Sequence, residues 1–230
     1  LLHAIFLFHG DILVLYGAFA FILLALYFKS EKTIRRWAKG IYIFIGVLFS
    51  LLALLTYVGE LFLASKGKTL PTEAEGLDGL NLALASGGFL ETAAARFELW
   101  VAFAPQGAIL QGPLVMVAFL IGVLVARKAG LAKGANPALM KRMAIWGFAI
   151  GLPLQLLAAV IYIVNLQAVT YSLGLSLVSL AINFLTAPIL SAGYIGALWL
   201  LSEKLGGLAL LSAGGRHSLT IYLAQSVVFS

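Results

Sequence analysis

The chain has 230 residues, 62% of them hydrophobic and 10% charged, with no cysteine and a net charge of +6. Soluble domains carry roughly 25% charged residues, so a protein core alone cannot absorb this apolar surface and lipid must solvate part of it. The missing cysteines exclude disulfides and thiolate chemistry. The basic residues sit in short stretches between apolar runs, which argues for a membrane protein and against nucleic acid as a partner.

A membrane-spanning helix needs about 20 apolar residues, and the mean hydropathy of +1.06 supplies several. Residues 1–8 read as the exit end of an apolar helix. The first complete span is expected at about 12–28, ended by Lys29, and the second at 41–64. A polar stretch follows, then an amphipathic segment over 89–104 that carries Glu91, Arg96 and Glu98. It is expected as a short interfacial helix on the outer side. Further spans are expected at 108–126, 143–164 and 173–201, the last kinked by Pro188 or partly interfacial. A truncated span is expected at 218–230. The fold class is therefore all-α, a polytopic transmembrane helix bundle in one membrane domain over 1–230, a fragment truncated at both ends.

Twelve of the fifteen Lys and Arg residues fall in 29–40, 127–142 and 202–217. The positive-inside rule makes these loops cytoplasmic, with 65–106 and 165–172 opposite.

Two clusters of polar residues stand at helix ends. His3, His9 and Asp11 lie where an incoming helix turns into the first complete span. Ionisable groups at membrane depth are costly and tend to line a cavity, and a His beside a carboxylate serves as a general base. Residue types alone favour a plainer reading, in which His9-Gly10-Asp11 makes the turn and Asp11 caps the next helix. No metal site is expected from this spacing. His3 lies about 9 Å down one wall from the turn, so a direct bond to Asp11 is not expected. The second cluster is Gly214-Gly215-Arg216-His217-Ser218, where Arg216 either anchors the cytoplasmic side or meets an anion. Gln155, Asn183 and Gln225 read as groups that bond neighbouring helices. Glu60 reads as snorkelling to water, and Gly147 and Gly151 form a GxxxG packing signal.

Two segments carry a family likeness. His3-x5-His9-Gly10-Asp11-Ile12-Leu13-x2-Tyr16-Gly17 resembles the IH…DGDIL…YG signature of the YeiB-like family of bacterial inner-membrane proteins. Gly215-Arg216-His217-Ser218-Leu219-Thr220-Ile221-Tyr222-Leu223-x-Gln225-Ser226 resembles its GRMALTNYLLQS segment. Positions 9, 217 and 221 depart from that pattern, which weakens any role for them. YeiB-like proteins are distantly similar to multi-span membrane acyltransferases, including heparan-α-glucosaminide N-acetyltransferase. The resemblance implies His3 and Asp11 as the catalytic pair, with His3 the base. It implies Arg216 toward the phosphates of a donor such as acyl-CoA, with Tyr16 and Gln225 as further substrate- or donor-binding residues. Arg216 is then expected across the membrane from Asp11. The rival expectation is a permease whose path the same residues line, or a non-catalytic membrane subunit. The expected partners are the lipid bilayer, N-terminal helices of the same protein missing here, and a second copy in a homo-oligomer.

Overall fold

A computed structural model describes residues 2–8, 10–68, 82, 84–127, 136–205 and 209–229. Every element among them is helical: α1 (Leu2–Phe6), α2 (Leu13–Tyr27), α3 (Glu31–Ser65), α4 (Phe89–Leu110), α5 (Gly112–Arg127), α6 (Pro137–Gln167), α7 (Leu173–Lys204), α8 (Ala209–Arg216) and α9 (Ser218–Phe229). The helices α3, α6 and α7 are each long and apolar enough to cross a membrane, and α4 with α5 passes the same test as a bent pair. Large apolar side chains point outward along them, among them Phe44, Leu55 and Val160, as lipid-solvated helices require. The protein is a helical membrane protein.

Two compact units emerge, one built from Leu1–Ala38, Ala74–Val123 and Leu208–Ser230, the other from Lys39–Glu73 and Leu124–Gly207. In the second unit α7 is the central helix. Along α6 the partners on α7 run backwards: Met140 meets Gly196, Gly147 meets Gly193, Gly151 meets Leu190, Gln155 meets Thr186 and Asn165 meets Ser172. Hence α6 and α7 form an antiparallel hairpin around the turn at 168–172. The seam works because its glycines have no side chain. A Cβ on Gly151 would lie 2.7 Å from the Leu190 nitrogen, and one on Gly147 would strike the Gly193 backbone. Close approach of this kind replaces the hydrophobic drive that lipid removes.

On its other side α7 meets α3, again antiparallel. Phe49 sets its ring edge-on to Phe184 at 5.0 Å, and further along Tyr57 meets Gly174 and Glu60 meets Ser172. The consequence is that α3 and α6 run in the same direction. Lys39, Lys141, Arg142 and Lys204 therefore gather at one end of this unit, with Glu60 and the hairpin turn at the other.

Two prolines leave different marks. Pro188 sits inside α7 without ending it. It has no N–H for the carbonyl one turn earlier, and carbonyls near that gap take side-chain donors instead. The Tyr42 hydroxyl donates to Leu185 and the Gln155 amide donates to Asn183 at 2.9 Å. Such substitutes are what let proline persist in spanning helices. Opposite, α6 opens into a π turn at Gly147–Gly151 just before Pro153.

Several boundaries differ from the sequence expectation, each for a local reason. The segment 29–40 is not a loop from Glu31 onward, because Ser30 caps α3 by accepting the Thr33 N–H at 3.3 Å. The basic residues 32–39 then form the first turns of one 35-residue helix. Its far end closes at Gly67, whose φ of 67° suits glycine,. The helix expected over 89–104 continues through Pro105 to Leu110. The span expected from 108 starts instead at Gly112 after a 51° bend, since Pro113 cannot donate back to Ile109. Asn136 starts α6 ahead of the expected 143 by accepting the Ala138 N–H at 2.9 Å. Glu60 does not snorkel: its carboxylate accepts from Ser172 Oγ at 2.5 Å and the Gly174 N–H at 3.1 Å. A negative charge there complements the dipole at the N-terminus of α7.

Candidate functional site

The first unit holds the candidate site. The short helix α1 closes with the Leu7 and Phe8 N–H groups both donating to the His3 carbonyl, at 3.0 and 2.9 Å. It packs against α4, where the Arg96 guanidinium donates to the Phe6 carbonyl at 2.6 Å and Phe89 stacks on Phe6 at 6.0 Å. These contacts hold α1 in place although five residues cannot sustain a helix alone. The next helix, α2, lies against α5, with Phe19 filling the space beside Gly112 and Tyr16 edge-on to Phe119 at 5.9 Å.

Between α1 and α2 the chain brings Asp11 inward. Its Oδ1 accepts the Leu13 N–H at 2.8 Å, so Asp11 does hold the start of α2, as the capping reading had it. The same oxygen accepts the Tyr222 hydroxyl of α9 at 3.3 Å and lies 3.4 Å from His3 Nδ1. The side chains of Asp11 and His3 keep only 1% and 9% of their exposure. Two expectations are corrected here. The approach of His3 to Asp11 is direct, because α1 stops at Phe6 and the chain turns back before a full antiparallel wall can form. Arg216 is also not a membrane thickness from Asp11, since Tyr222 touches Asp11 and Arg216 is six residues earlier, roughly 9 Å along a helix.

The contact between His3 and Asp11 has ion-pair distance without hydrogen-bond alignment. Among the described residues, both ring nitrogens of His3 and Oδ2 of Asp11 are buried with no hydrogen-bond partner. Each such orphan costs about 1–3 kcal/mol. Three together mark a place where a water, a proton or a ligand group belongs.

Of the remaining residues singled out from sequence, Tyr16 stands close enough to Tyr222 to interact with it electrostatically. Arg216 is exposed at the end of α8, Gln225 is exposed one turn past Tyr222, and Tyr16 faces Phe119. None makes a hydrogen bond or ion pair with His3 or Asp11 among the described residues. His9 lies outside the described residues. No group of three metal-ligating side chains occurs among the described residues. The polar contacts expected of Gln155 are present, to Asn183 and to Thr186 at 2.8 Å.

Tyr222 is the participant that residue-by-residue reading overlooked. An aromatic in an apolar helix ordinarily reads as an interface anchor, and its partner is 211 residues away. Its place inside the second signature segment was the available signal.

Residues 125–230 match the model of a family described as protein of unknown function (DUF418). The matched part contains α6 to α9, and so Tyr222, Arg216 and Gln225, while His3 and Asp11 lie before it. It supports the YeiB-like resemblance over that part of the chain. No curated protein and no solved structure matches the chain.

Proposed function

We propose that this membrane protein carries an acyl-transfer site in which His3 is the general base and Asp11 its partner. The observation that supports this is the buried His3–Asp11 contact with both imidazole nitrogens and one carboxylate oxygen left for a ligand. A hydroxyl or amine acceptor donates to His3 and loses its proton as its oxygen or nitrogen attacks the donor's thioester carbonyl. The carbon–sulfur bond breaks, and the leaving thiolate takes the proton back from the imidazolium, giving ester or amide and free thiol. Asp11 stabilises the imidazolium between those steps. In this reading Arg216, exposed at the end of α8, binds the phosphates of a CoA donor. Tyr16 and Gln225 flank the acceptor in this reading.

The lack of cysteine gives the test a clean background. Acetyl-CoA and glucosamine are added to vesicles of the protein, and released CoA is read with a thiol-reactive dye. His3→Ala is expected to lower release by about 10²-fold or more, the usual worth of a positioned base. Undiminished release from that variant would end the proposal.

A second reading has one observation in its favour. In the other unit the π turn Gly147–Gly151 meets α7 just past Pro188, and interrupted helices facing each other at depth are a mark of solute paths. Gln155, Asn183 and Thr186 would then line the path of a permease. Solute uptake that survives His3→Ala but is lost in Gln155→Leu would favour it. In either reading the Lys/Arg-bearing end of that unit faces the cytoplasm of a bacterial inner membrane.

A further inference from the structure

Tyr222 touches both members of the pair. Its hydroxyl donates to Asp11 Oδ1 at 3.3 Å, and its ring stands 5.2 Å from the His3 ring, tilted by 38°. The other donor to Oδ1 is the Leu13 N–H at 2.8 Å, which belongs to the same turn as Asp11 and fixes only local geometry. The two donors converge on one oxygen. They pin the carboxyl plane and leave Oδ2 buried and unpartnered beside an imidazole that is itself unpartnered.

We infer that Tyr222 is the positioning residue of this site, holding Oδ1 so that Oδ2 and the imidazole stay turned toward a ligand that donates a hydrogen bond, a hydroxyl- or ammonium-bearing molecule. The consequence for rate rests on His3 acting as the base, whereas the geometry does not. Tyr222 donates to Asp11 and takes no part in bond making. A carboxylate held at one oxygen presents the other in a fixed direction, which is what lets a buried pair select a donor. The rival account is simple aromatic packing on His3, and phenylalanine separates the two, because it keeps the ring and removes only the hydroxyl.

The test uses the full chain in lipid nanodiscs, with Tyr222→Phe and Tyr222→Leu beside the parent. Dicyclohexylcarbodiimide partitions into the membrane and labels carboxyl groups, and peptide mass spectrometry reads its rate at Asp11. Diethyl pyrocarbonate reports on His3 in the same way. In Tyr222→Phe the labelling of Asp11 is expected to rise about two- to tenfold, the factor one net hydrogen bond represents. His3 modification and melting temperature should stay at the parent's values. In Tyr222→Leu both labelling rates should rise. Parent-like labelling of Asp11 in Tyr222→Phe overturns the inference, and so does failure of that variant to fold, since the hydroxyl would then be structural. Absence of CoA release from the parent would remove the acyl-transfer reading and leave the labelling result standing.

Discussion

The glycine seam between α6 and α7 makes a prediction whose sign depends on where the glycine stands. Replacing Gly147 with alanine puts a methyl against the Gly193 backbone and 2.9 Å from the Ile189 carbonyl oxygen. Carbon contacts settle near 3.5–4.0 Å, and backbone atoms cannot swing aside as a side-chain tip can. The hairpin must open by roughly 1 Å, at an overpacking cost of about 1–3 kcal/mol. Alanine regains about 0.5–1 kcal/mol of helix preference over glycine, which leaves about 0–2.5 kcal/mol. Because the clash is with rigid backbone, the net loss is set at about 1–2 kcal/mol. For a chain of this size that lowers the melting temperature by about 2–8 °C. Gly59 and Gly122 are also helical, yet a Cβ there meets nothing within 4 Å. Gly59→Ala and Gly122→Ala should therefore raise the melting temperature by about 1–4 °C. Tryptophan fluorescence during heating in one detergent measures all three variants. A Gly147→Ala protein as stable as the parent, or Gly59→Ala losing as much as Gly147→Ala, would refute the close-approach account.

Asn165 is 2% exposed and spends its amide on the Ser172 carbonyl at 2.7 Å, Ser176 Oγ at 2.9 Å and the Ser172 N–H at 3.0 Å. Asn165→Ala orphans both backbone groups at the hairpin turn and should cost about 2–4 kcal/mol, read as a lower midpoint in denaturant or heat. Ser172 caps α7 by accepting the Leu175 N–H, so Glu60→Ala removes only the acceptor for the Ser172 hydroxyl and the Gly174 N–H. That loss should cost about 1–2 kcal/mol, with Glu60→Gln losing less because its amide oxygen still accepts one bond. Equal losses in the two Glu60 variants would count against a charge-assisted contact. Single cysteines at Ser30 and Lys66, on either side of α3, are expected to react with an impermeant maleimide from opposite faces of sealed vesicles, and labelling from one face would show that α3 does not cross.

Helical class and most helix positions were legible because apolar length is a direct physical requirement of the bilayer. Boundaries failed where polar residues continue a helix past the apolar run, as Lys32 to Lys39 do in α3 and Pro137 to Arg142 do in α6. Hydropathy reads lipid contact, while caps such as Ser30 and Asn136 decide where hydrogen bonding begins. Half of the candidate site was legible in the same sense. His3 and Asp11 stand eight positions apart, and their chemistry marks them. Their direct approach depends on α1 breaking after Phe6, a tertiary outcome that spacing along an ideal helix misjudged. Glu60 misled for a related reason, because its partner is a helix start more than a hundred residues away.

The bond between Tyr222 and Asp11 joins positions separated by 211 residues, and this orders assembly in time. During synthesis α2 enters the membrane with Asp11 satisfied only by its own turn, while α6 and α7 can zip together across a turn of a few residues. Closing a long loop costs more entropy than closing a short one, and α9 is made only after α6 and α7. The second unit is therefore expected to be in place before His3 and Asp11 receive their distant tie. A chain arrested before residue 218 should hold a protease-resistant α6–α7 hairpin and an Asp11 open to carbodiimide, so that synthesis of α9 is what closes the contacts around Asp11.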